Sequence, residues 1–428
     1  MSFTKKSFLT LLVLALAAVL LVSCGTNPKT PADETNGAIE TSSETKKPAE
    51  TKKPAETTAP TTPSPFENKE KPKDATFEKV YPAPTGSKRD AVYNYMMAMA
   101  TIEWTPSVDF VTTHRPDVVR DYTVNLAYKA GKKYYGVPYG ETKANLEQFQ
   151  MFLDNKNTFT FDSYYYQDIV GNHCSSCMFL AYQQIIPVGY GTLRPSEARK
   201  GIFKLAGDLE APPIQGTWLS KDCLNHNGKD KVYAAYATLD KGDILGKFIS
   251  GSGHTRFVTK VEVTKSAAGK LIPSKSFVYV IENTNTWYDK NENTTWWVDK
   301  KYAFGTLFDT NFIPVTLDTY FDDNDKLWDA YIWFTGENTP DKITTKLAGK
   351  VVSNFPLNYV RVTIEDSNGN VIKEMFKRNL DNSFEVDIYR ECFSFKLNEL
   401  PAGTYKYNLR AGISRGSCDI ESFEFTVK

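Results

Sequence analysis

Histidine and cysteine are scarce in this chain, with four and six respectively among 428 residues. That leaves little from which to build a metal centre, because a structural zinc site needs four ligands. Cys174 and Cys177, with His173, would supply the start of one, but no second Cys or His pair follows at ligand spacing. Cys223 and His226 stand in what reads as a polar loop, KDCLNHNGK. No metal and no cofactor is expected. Net charge is lacking too: 51 Lys and Arg balance 51 Asp and Glu. No basic cluster stands out in the folded part, which argues against nucleic acid as a partner. The longest apolar run, Phe8 to Val22, is shorter than the ~20 residues a spanning helix requires. Between Thr26 and Pro84 large apolar residues are few, and Ile39 and Phe66 are isolated. Such a segment cannot bury enough surface to offset its ordering entropy.

What is present at the N-terminus has the layout of a signal peptide. Lys5 and Lys6 precede the apolar run, which ends in Leu21-Val22-Ser23-Cys24-Gly25. The ending LVSC resembles the bacterial lipoprotein signal, which implies lipidation of Cys24 after removal of residues 1–23. Residues 24–85, rich in Pro, Thr, Glu, Lys and Ala, then read as a disordered tether. About sixty such residues average ~45 Å as a coil and reach at most ~200 Å. The expected location is extracytoplasmic, anchored to a membrane and close to the wall layer.

The remainder is long enough for two domains. A helix is expected over Lys88–Glu103, with Ser87 as N-cap and Asp90 following it. A second is expected from Lys143 to Leu153 capped by Thr142, and a third from Cys174 to Ile186, stopped by Pro187. Strands are expected over Leu239–Leu245, His254–Val263 and Ser276–Asn283. From Lys342 the pattern becomes short alternating segments, with a hairpin turn at Ser367-Asn368-Gly369-Asn370. The fold class is α+β: a domain over 86–320, a linker over 321–341 and an all-β immunoglobulin-like sandwich over 342–428. The break near Lys342 implies that a chain ending at Asp341 folds alone. Cys392 and Cys418 fit a bridge or two separate buried thiols, since an extracytoplasmic compartment permits either.

Cys174 and Cys177 open the third helix. A redox pair of this spacing belongs in a βαβ unit, which the surrounding pattern lacks. A nucleophile needs a histidine from elsewhere. His114 lies in a polar stretch and His226 in the KDCLNHNGK segment. His173 adjoins Cys174, and chain neighbours rarely present both side chains to one reacting atom. His254, opening a strand after the SGSG run, is the best placed.

Cys174-Ser175-Ser176, then Gly242-Asp243-Ile244, then Gly253-His254, in that order, resemble the NlpC-type cell-wall cysteine peptidases of the papain-like superfamily. Tyr135-Gly136-Val137-Pro138-Tyr139 resembles their glycine-x-proline-tyrosine segment. His173 stands where the family has aspartate and Ser176 where it has glycine. The resemblance implies a papain-like catalytic domain that hydrolyses an amide in peptidoglycan stem peptides. Cys174 is then the nucleophile and His254 the base and acid. An orienting residue comes from VIENTNTW, where Glu282 fits the family's position better than Asn283. Tyr139 and Ser175 are the expected substrate contacts, and the Cys174 amide helps hold the oxyanion. The expected partners are a peptidoglycan peptide and, through the lipid, a membrane. The alternatives are an inactive lipoprotein that binds wall or ligand, and a thiol–disulfide oxidoreductase. Nothing in the residues fixes an oligomeric state.

Overall fold

A strand, Ala75–Tyr81, lies within the segment read as tether. It pairs antiparallel with Ala330–Thr335, which lies within the segment read as linker. Phe77 and Tyr81 of this strand pack against the C-terminal core. Two of the expected boundaries therefore change: the ordered chain starts before residue 85, and 321–341 is not a linker. The computed structural model describes residues 65–117, 124–322, 327–380 and 382–428. The signal segment, Cys24 and the tether as far as Ser64 lie outside the described residues. Among the described residues no helix is long and apolar enough to cross a membrane.

The chain is mixed α and β. Helix α1, Lys88–Thr101, begins at Ser87, whose hydroxyl accepts the Asp90 N–H at 3.4 Å. Its Val92, Met96, Met99 and Ala100 are buried. The helix ends short of the expected Glu103, which instead opens the strand Glu103–Pro106. Helix α2 covers only Leu146–Gln150 and is capped by Asn145, not Thr142. Lys143 adopts φ 53°, which breaks helical geometry. The Thr142 hydroxyl is occupied elsewhere, on the carbonyls of Ile169 and Gly171. Helix α3 is Ser176–Tyr182, and every residue of it is buried. Helix α4, Ser220–Tyr236, contains the KDCLNHNGK segment read as a loop, with one irregular residue at Gly228. The inward packing of Cys223, Leu224 and Val232 overrides the weak helix propensity of its Asn and Gly residues.

These helices pack on a six-stranded antiparallel sheet. Its order is Trp296–Ala303, Phe277–Asn283, Ser252–Glu262, Ile244–Ile249, Ile313–Leu317, Phe203–Leu205. One apolar core runs through this part, from Val92 to Leu317. A second core lies in the C-terminal part. Around it stand two four-stranded sheets. The first is ordered Ala75–Tyr81, Ala330–Thr335, Lys350–Ser353, Glu385–Asp387. The second is ordered Val371–Arg378, Leu357–Glu365, Gly403–Ile413, Gly416–Val427. The turn at Ser367–Asn370 joins two strands of the latter. There Gly369 takes φ 81°, a conformation glycine adopts freely.

The tip of the last hairpin docks beside α2 and α3. Gln184 Nε2 donates to Ser414 O at 2.9 Å, Ser417 N to Glu147 Oε2 at 2.5 Å, and Asn145 Nδ2 to Ile413 O. Arg378 pairs with Asp162. The C-terminal part, which is not all-β because it includes the short helix Ile388–Glu391, thus holds α2 and the turn just past α3.

Candidate active site

The approach to Cys174 is a loop held from two sides. Gly171 runs so close to Pro138 that an added Cβ would lie 2.3 Å from the Pro138 carbonyl oxygen. Asn172 N donates to Pro138 O at 3.1 Å, and Gly140 N donates back to Asn172 O at 3.1 Å. This pairing carries the half-buried Tyr139 alongside the loop. From the sheet, Asn283 Nδ2 donates to Asn172 O at 2.9 Å and to Asn172 Oδ1 at 3.0 Å. Cys174 itself stands just ahead of α3, not inside a helix reaching Ile186 as expected. Its carbonyl accepts the Thr255 hydroxyl at 2.7 Å. That bond fixes the loop to the strand carrying His254.

The imidazoles of His173 and His254 both act on the Cys174 thiol and favour its charged form. His254 presents its other face to Glu282, Nε2 lying 2.6 Å from Oε2. Alternation along the strand explains why Glu282 meets His254 while Asn283 turns to the loop. Glu282 also accepts Arg256 Nε–H at 2.9 Å and the Tyr302 hydroxyl at 2.5 Å. Its side chain is only 2% exposed.

Burial pushes the Cys174 thiol up, but its bonds to His173 and His254 outweigh that and hold it well below its ordinary value. Burial pushes His254 down, yet bonding to Cys174 and then to Glu282 raises it to about 9. Burial likewise disfavours the Glu282 carboxylate. The His254 bond, the Arg256 charge and the Tyr302 bond still bring it down to about 2. These directions favour a thiolate beside an imidazolium beside a carboxylate. Cys177 differs. Burial raises its thiol far above the usual range and the charge on Cys174 adds to this. Its Sγ lies 3.3 Å from Cys174 O.

Comparison with known proteins finds no matching family model, no matching curated protein and no matching solved structure.

The structure brings Cys174, His254 and Glu282 into one cluster, with Ser175 and Tyr139 at its margin. It also brings in His173, which the sequence reading set aside. A tight turn, Cys177 N to His173 O at 3.1 Å, folds the residue back. Its Nδ1 lies 3.3 Å from Ser175 Oγ and 3.4 Å from Ser175 N. The available signal was a histidine placed directly before Cys174. Arg256, on the same strand face as His254, was accessible by alternation; Tyr302, from the next strand, was not. Asp243 is buried away from the thiol. It accepts Arg89 Nη1 at 2.9 Å and Thr316 Oγ1 at 2.6 Å, tying α1 to the sheet. Gly242 before it takes φ 94°. His114 Nδ1 meets Gln167 Nε2 at 2.9 Å, and His226 lies on α4. The five described cysteines are unbridged, so Cys392 and Cys418 are separate buried thiols. Among the described residues no group of three His, Cys, Asp or Glu side chains is placed to hold a metal ion.

A pH dependence follows for any reaction that needs the charged pair. Cys174 must have lost its proton and His254 must keep its own. The rate should therefore hold through neutral pH and fall as pH rises past about 9, where His254 deprotonates. Its acid limb should lie well below the ~8.5 of an ordinary thiol. A pH–rate profile of kcat/KM checks both limbs.

Proposed function

We propose that this chain hydrolyses an amide bond in peptidoglycan stem peptides, with Cys174 as nucleophile and His254 as acid and base. The supporting observation is the His254–Glu282 pair at 2.6 Å, with the Cys174 thiol depressed by His173 and His254 and the imidazole raised. The thiolate attacks the carbonyl carbon, and the C=O electron pair moves onto oxygen. The Cys174 N–H donates to that charge. Collapse of the adduct breaks the C–N bond while His254 gives its proton to the leaving amine. Water then attacks the thioester, neutral His254 takes a proton from it, and the acid and the free thiolate separate. Glu282 orients the ring and stabilises the imidazolium. Tyr139 and Ser175 contact the peptide.

On this reading the first domain is a divergent NlpC-type member of the papain-like superfamily, and the C-terminal part is immunoglobulin-like. A buried, strongly raised Cys177 thiol makes a poor partner for thiol–disulfide exchange. The test is digestion of purified peptidoglycan. Mass spectrometry should find fragments that have gained one water at a peptide bond; wall material left unchanged would refute the proposal.

We also propose that Cys24 carries a lipid and that the following segment holds the enzyme near the membrane. Cys24→Ala should move the protein out of the membrane fraction or block its maturation. Unchanged detergent extraction and lipid labelling of that variant would contradict the anchor.

A further inference from the structure

Arg256 is an expensive residue in its position. Its guanidinium lies between two rings, 3.7 Å from the Tyr302 centroid and 3.8 Å from that of Phe312. Its Nε–H goes to Glu282 Oε2, the same oxygen that faces His254. Its Nη1 is buried with no hydrogen-bond partner among the described residues. Burying a cation with a donor left unpaired costs stability. An apolar side chain would fill the slot between the rings without that cost. The charge itself is then what the site uses.

We propose that Arg256 is a positioning residue whose guanidinium balances Glu282 and so allows a Cys174 thiolate and a His254 imidazolium to coexist. The inference rests on the Cys–His reading above. Outward from the nucleophile the charges alternate: thiolate, imidazolium, carboxylate, guanidinium. Their sum is zero. Without Arg256 the sum is negative in a space with little water, and taking up a proton relieves it. The thiolate is the group that the reaction then loses. The other polar groups around the cluster do not replace this charge. His173 acts on the thiol, and the Tyr302 hydroxyl is a neutral donor to Glu282. Lys300 Nζ sits 3.2 Å over the Trp297 ring; it feels the Glu282 charge but makes no hydrogen bond to that carboxylate, and burial disfavours its own charge. Lys247 lies across from His254 on the neighbouring strand.

The test is the pH dependence of iodoacetamide labelling at Cys174 in the full chain, with thermal unfolding checked for each variant. Arg256→Gln keeps a donor without charge, and Arg256→Lys keeps charge without the fork. The labelling midpoint should rise by about one pH unit in Arg256→Gln and stay close to wild type in Arg256→Lys. Should Arg256→Gln fail to fold, Glu282→Gln and the Glu282→Gln/Arg256→Gln double variant carry the same comparison. The single change leaves surplus positive charge and should lower the midpoint, and the double change should bring it back. Coincident profiles for Arg256→Gln and wild type would overturn the proposal, as would equal shifts in Arg256→Lys and Arg256→Gln. So would a double variant that matches Glu282→Gln alone. Labelling needs no peptide substrate. If these shifts occur and wall peptides stay uncut, the inference stands and the hydrolase reading falls.

Discussion

A chain ending at Asp341 is expected to lose its cooperative unfolding transition and to precipitate. The strand Ala330–Thr335 would remain, paired with Ala75–Tyr81, but its other neighbour, Lys350–Ser353, would be gone. Ile332 and Phe334, both fully buried, would face water. Exposing each costs about 1.5–3 kcal/mol, against a total domain stability of about 5–15 kcal/mol. An open two-stranded ribbon with an apolar face also invites association. The same cut removes the hairpin tip that bonds Asn145, Glu147 and Gln184. Differential scanning calorimetry of the truncated chain beside the full one measures this. A sharp transition at the full-length temperature, in a soluble truncated protein, would mean that the part up to Asp341 folds without the C-terminal part.

If the chain hydrolyses wall peptides as proposed, Cys174→Ala should abolish that activity, a loss on the order of 10³-fold or more, and leave thermal stability nearly unchanged. Cys174 is only half-buried, so its truncation removes little packing. Cys177→Ala should do the reverse. Its side chain lies in the apolar core, so the small cavity costs about 1 kcal/mol while activity persists. Peptide hydrolysis and melting temperature for the two variants separate the roles. Equal loss of activity in both, with a reducible bond between Cys174 and Cys177 in the parent, would point to redox chemistry instead.

Much of the site was readable because it rests on local signals. Ser87 and Asp90 announce α1, and a glycine-aspartate turn announces the strand ahead of His254. Alternation narrowed the third residue to Glu282 or Asn283, and the structure assigns them opposite jobs. The strand Ala75–Tyr81 was missed because it sits among Pro, Lys and Glu and pairs with a strand far along the chain, although Phe77, Val80 and Tyr81 depart from the tether's composition. KDCLNHNGK looked like a loop by composition, yet tertiary packing makes it helical. His173 was set aside on a rule about chain neighbours that the turn at 173–177 breaks. Tyr302 reaches Glu282 across strands whose register shifts between Val280 and Glu282, an irregularity invisible in a pattern of alternation.

The most direct measurement is site-resolved alkylation of the native protein at pH 6, with peptide mapping of every thiol. An ordinary thiol of pKa ~8.5 is under ~1% thiolate there, and Cys177, Cys223, Cys392 and Cys418 are raised above the usual range. Cys174 is expected to label about a hundredfold or more ahead of all four. Labelling of Cys174 at the same slow rate as the buried thiols would contradict an activated nucleophile at this position.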